Sequence, residues 1–206
     1  MALTKRMQLK IDNCKDLAEK VKNWETFDET DLEIIIKNLE KVPREEVSKL
    51  YFPYLTNEVA EKLLEIGEKY GNNTKMVCLI VSAFGNLITR YKVESTDKFY
   101  SFFRQCINQP KVDYFVAIHI DNFPQFNTSK DKWEYFFSIL NIRPKNKSFP
   151  IFYTKIRRVL TKKEIIPDEY LEKIINVISE KYNNSNEWGK KDYGDTLEQL
   201  NKQKSV

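Results

Sequence analysis

Apolar residues recur along this chain at steps of three and four, the repeat that gathers side chains onto one face of an α-helix. Leu32, Ile35, Ile36 and Leu39 follow Thr30-Asp31-Leu32-Glu33, in which Thr and Glu stand at capping-box spacing. Val59, Leu63, Ile66 and Tyr70 form a stripe behind Thr56, and Gly71 is placed to end it. Met76, Ile80, Phe84 (or Ala83), Leu87 and Tyr91 follow, apolar over an arc wide enough to predict contact on two sides. The opening stretch carries Leu3, Met7, Ile11, Cys14, Leu17 and Val21 in the same rhythm.

The second half keeps the habit. Ser95 or Thr96 precedes Phe99, Phe102, Phe103 and Cys106, and Pro110 precedes Tyr114, Phe115 and Ile118. Ser129 leads into Trp133, Phe136, Phe137 and Leu140, and Ser148 into Phe152, Ile156, Val159 and Leu160. Pro167, with Asp168 and Glu169 in the first turn, opens Leu171, Ile174, Ile175, Ile178 and Tyr182. Pro43, followed by Glu45 and Glu46, reads as a further helix start. No run alternates as a half-buried strand does. With 5 Gly and 7 Pro in 206 residues, turns are too few for a many-stranded β fold. The expected class is all-α.

Starts at Thr56, Thr96, Ser129 and Pro167 mark two-helix units of roughly thirty to forty residues, the size of helical solenoid repeats. In that spacing the chain resembles HEAT-like and armadillo-like repeats over residues 28–183. The resemblance implies stacked helical hairpins; a compact irregular α-helical bundle is the alternative with the same pattern. Residues 1–183 are expected to form one domain. Residues 184–206 are polar and interrupted by Gly189 and Gly194, and are expected to be an extension with at most a short terminal turn, pinned by Trp188 and Tyr193.

Charge changes this picture at one place. The stretch 143–163 holds eight Lys and Arg and no acidic residue, more than the whole formal net charge of +4. On the helix expected after Ser148, Lys155, Arg158 and Lys162 share a face off the Phe152–Ile156–Val159 stripe, with Arg157 beside it. Arg143, Lys145 and Lys147 precede that helix, and Tyr153 lies near them. These eight residues are the candidate partner-binding set: arginine offers a planar fork for carboxylate or phosphate, and an aromatic offers a stacking face.

Chemistry is harder to find. His119 is the one histidine, and Cys14, Cys78 and Cys106 are scattered on apolar stripes without a CxxC pair, so free thiols in a reducing compartment are expected. A Cys106–His119 nucleophilic pair is the catalytic alternative, opposed by surroundings that keep a thiol protonated. No glycine belongs to a phosphate-binding loop, and ligand types never cluster, so neither cofactor nor metal is expected. No apolar run approaches membrane-spanning length and the start lacks the core of a signal peptide, making a cytoplasmic protein the expectation.

These observations point to a non-enzymatic protein-binding module. High Lys, Asn and Ile with low Gly resemble the products of AT-rich bacterial or phage genes. Among small bacterial helical proteins without an active-site motif, toxin-neutralising immunity proteins are the narrower class that the HEAT-like resemblance implies. The near-neutral body departs from the acidic surface suited to a basic nuclease toxin. The alternative is a nucleic-acid-binding helical repeat using the 143–163 segment.

Overall fold

The computed structural model describes residues 3–204, and among them every regular element is helical, with no strand. The chain divides into two compact units, one running to Ser129 and the other beginning at Lys130. That boundary falls inside the span 1–183 assigned to one domain by its periodicity.

The first unit contains α1 (Lys5–Lys22), α2 (Glu29–Glu45), α3 (Asn57–Lys69), α4 (Thr74–Tyr91), α5 (Asp97–Cys106), α6 (Val112–His119) and the single turn α7 (Pro124–Asn127). Helices α1/α2, α3/α4 and α5/α6 pack as successive pairs. Within them α1, α3 and α5 touch in series, as do α2, α4 and α6, so three hairpins stack in two layers. The wide apolar arc of α4 does what its breadth predicts: Met76, Val77, Ile80, Val81, Ala83, Phe84 and Leu87 are buried against α2, α3 and α6. Gly85 permits the closest approach. A Cβ there would stand 1.9 Å from Cγ of His119, so the backbone of α4 lies directly under the imidazole from α6.

Several helix boundaries differ from those the sequence suggests. The α2 cap is Asp28, whose side chain accepts from the Asp31 N–H at 2.9 Å, two residues before Thr30. Pro43 lies in the last turn of α2 instead of opening a helix. Arg90 from α4 closes that end, its Nη1 donating to the carbonyls of Pro43 at 3.0 Å and Arg44 at 2.6 Å. Those carbonyls have no intrahelical donor, which is why a side chain from a neighbouring helix can terminate α2 there.

The second unit contains α8 (Lys132–Ser138), α9 (Lys145–Thr161), α10 (Asp168–Asn183) and α11 (Glu187–Lys204). Helix α9 begins three residues before Ser148, with Pro144 at its cap position. Helix α11 replaces the expected polar extension and packs along α10 as its antiparallel partner. Its buried stripe, Gly189, Thr196 and Leu200, has a single large apolar member. A Cβ added at Gly194 would stand 3.6 Å from the Tyr182 ring, an ordinary contact. Residues 205 and 206 of that extension lie outside the described residues.

Candidate partner-binding surface

Helix α9 carries the basic segment, and its register decides which cations reach solvent. Ser148, Phe152, Lys155 and Val159 follow one another at steps of four, three and four, and all are buried; Lys155 is only 1% exposed. Its register places it on the core seam, although its charge suggests solvent. The continuous face Lys155–Arg158–Lys162 is therefore not formed. Tyr153 is also buried: its hydroxyl lies 2.8 Å from Oγ1 of Thr196 and donates to the Asp192 carbonyl at 3.0 Å. Burial pushes that phenol up to about 12.

Arg143, Lys145, Lys147, Arg157, Arg158 and Lys162 are exposed. Arg157 is engaged locally, with Nη1 3.0 Å from Oδ1 of Asp192 and the guanidinium 5.9 Å from the Tyr153 ring centre. Of the eight sequence candidates, then, six stand on the surface and two belong to the interior. A second lysine is also interior: Lys132, 2% exposed, pairs with Glu164 and lies 5.1 Å from the Trp133 ring centre.

The exposed cations gather at two ends of the second unit. At one end the start of α9, the end of α10 and the start of α11 meet around an aromatic nest. Phe149 stacks on Tyr153 at 5.8 Å, and Tyr193 meets the Tyr153 ring edge-on at 5.0 Å. Lys181 Nζ stands 5.3 Å from the Phe149 ring centre, and Lys190 Nζ 6.0 Å from that of Tyr182. Lys145, Lys147 and Lys191 are exposed on the same helix ends. Beside them Trp188 is 79% exposed, whereas Trp24 and Trp133 are buried.

The first turn of α9 has no acidic residue and no side-chain cap, yet carries Lys145 and Lys147. Cations at a helix start oppose its dipole by about 0.3–1 kcal/mol each.

At the other end, Leu160, Ile165 and Ile166 line an open cleft of about 500 Å³ bordered by Lys163, Asp168 and Lys202. Ile165 is 85% exposed. By unit, residues 130–206 hold 16 basic and 11 acidic side chains, against 18 and 19 in residues 1–129. The positive excess belongs to the second unit.

Trp188, Lys190 and Lys191 are absent from the sequence candidates because their segment reads as a tail, and Lys181 because it lies on a predicted helix outside the 143–163 charge run. The three-and-four spacing of Gly189, Tyr193, Thr196, Leu197 and Leu200 is the signal that could have shown a helix.

Elsewhere, the groups weighed for catalysis are interior. His119 is 8% exposed over Gly85. Burial pushes the thiols of Cys14 and Cys106 up to about 12 and about 11, and raises Cys78 as well, which disfavours the nucleophilic thiolate. Among the described residues no group of three or more His, Cys, Asp or Glu is placed to hold a metal ion, and no helix is long and apolar enough to cross a membrane. Comparison with protein-family models, curated proteins and solved structures finds no match.

Proposed function

We propose that this chain is a non-catalytic module that binds another protein through its second unit. The observation that carries this reading is the segregated surface of residues 130–206. Exposed cations on three helices flank an exposed tryptophan; interface centres favour large aromatics, and charges around them steer the approach of a partner. The stacked hairpins of the first unit suit a HEAT-like scaffold, on which a toxin-neutralising role in a bacterial cytoplasm is the narrower form of the reading.

Affinity capture under native conditions tests it. Wild type and K145E/K147E/R158E/K162E serve as matched baits, each with and without nuclease. The reading expects one protein enriched on wild type, depleted on the variant and indifferent to nuclease; its identity decides the toxin question. Recovery of nucleic acid with nuclease-sensitive proteins would instead favour a nucleic-acid-binding helical repeat.

A further inference from the structure

Resting on the protein-binding reading, we infer that the pole where α9 starts, α10 ends and α11 starts docks an acidic segment of the partner, with Trp188 as the apolar anchor. Three elements are pinned at this pole. Phe149 and Tyr153 of α9 contact Tyr193 of α11, and Lys181 of α10 lies over Phe149. The cations Lys145, Lys147, Lys181, Lys190 and Lys191 therefore ride on fixed helix ends. An excess of exposed cations on one pole gives a carboxylate-bearing partner a steered approach.

Trp188 supplies what charge alone does not. It stands four residues before Asp192, on a neighbouring position of the same helix surface, and Arg157 from α9 holds that carboxylate at 3.0 Å. The indole is thus displayed beside a fixed ion pair, and 79% of it is available to be covered. Tryptophan is among the residues most enriched at binding hot spots.

The chemistry favours an acidic protein over a phosphate polymer. Lysines predominate; of the two arginines at this pole Arg157 is engaged by Asp192, leaving Arg143, so bidentate forks for phosphate are scarce. Exposed Glu180 at the end of α10 and Glu187 at the start of α11 interrupt the positive surface. A continuous phosphate backbone would have to pass those carboxylates. A protein segment of mixed but mainly acidic sequence can answer them.

Trp188 also provides the readout, because Trp24 and Trp133 are 6% and 8% exposed and contribute little to quenchable emission. The full chain is titrated with poly-L-glutamate and with an oligo-dT of equal total charge, following acrylamide quenching of Trp188. Poly-L-glutamate is expected to shield Trp188 and to bind more tightly than oligo-dT. The variant K145E/K147E/K190E should lose at least roughly 30-fold in that affinity, the scale of a hot-spot cluster. K162E/K163E, at the far end of α9, should change it less than about 2-fold, as expected of a rim charge outside the contact. Tighter oligo-dT binding, no response to either polymer, or equal loss in K162E/K163E would each overturn the inference.

Native capture separates this inference from the reading beneath it. A protein captured by wild type and retained by both W188A and K145E/K147E/K190E would remove the docking pole but leave a protein-binding module. Capture of no protein would remove the module itself.

Discussion

Reversing the charge of Lys155 is expected to destabilise the second unit's core, whereas reversing Arg158 and Lys162 is not. At 1% exposure Lys155 lies between Phe152 at 0% and Val159 at 3%, on the seam that α9 presents to its own unit. A glutamate there puts a carboxylate where an ammonium is accommodated and removes part of the aliphatic stem. Disrupting a buried charge costs about 3–5 kcal/mol. In a chain of this size each kcal/mol moves the melting midpoint by about 2–4 °C, so K155E should melt roughly 6–20 °C below wild type. Exposed charges contribute about 0–1 kcal/mol each, so R158E/K162E should stay within a few degrees. Thermal melts followed by circular dichroism at 222 nm, with chemical denaturation as a check, decide the matter. K155E melting together with R158E/K162E would mean that Lys155 is not an interior residue, and the register argument for α9 would fall.

Four further outcomes follow from particular contacts. Gly85→Ala should destabilise the first unit by about 1–3 kcal/mol or more, seen as a lower melting midpoint, because its methyl meets the His119 ring at 1.9 Å. Native labelling with a disulfide reagent at mild pH should modify Cys78 first, since Cys14 and Cys106 are 0% and 5% exposed, and all three should react on unfolding. Stability should fall as pH rises from the unfolded values near 9 to 10 towards 12. Burial raises Cys14, Cys106, Tyr51 and Tyr153, so the folded chain retains protons that the unfolded chain releases, and melts at stepped alkaline pH would show it. On the acid side, the Lys10 hydrogen bond lowers Glu46; its stabilising contribution should be present above the ordinary carboxylate value and fade as pH falls below it, most visibly at low salt.

The helical class was legible because apolar spacing repeats over whole helices and caps add local agreement. Thr96 does cap α5, its hydroxyl accepting from the Phe99 N–H at 3.3 Å, and Thr56 occupies the corresponding place before α3. Boundaries were less legible where two local signals competed: Asp28 and Thr30 are both competent caps, and Pro43 can stand near a helix end as well as at its start. Helix α11 escaped notice because Gly189 and Thr196 fill core positions that a hydrophobic pattern leaves blank. Six of the eight proposed contact residues reached the surface, but Lys155 and Tyr153 did not. A lysine's type says solvent while its register says core, and register prevailed because its neighbours at three and four residues are fixed in the interior. Trp188 was unreadable for the converse reason: an indole in a polar stretch looks like an anchor to the fold, yet Tyr193 takes that role through Phe149 and Tyr153.

Zero-length carbodiimide coupling, which joins a lysine amine only to a carboxylate in contact, tests most directly whether the second unit binds an acidic protein. The native chain is coupled to its captured partner, digested, and the linked peptides identified by mass spectrometry. Links are expected from Lys145, Lys147, Lys190 or Lys191 to clustered Asp and Glu of one protein, and they should vanish in K145E/K147E/K190E while Lys162 and Lys163 remain unlinked. Links confined to the first unit or to Lys162, Lys163 and Lys202 would contradict the proposed pole, and a partner recovered only as nucleic acid would contradict protein binding altogether.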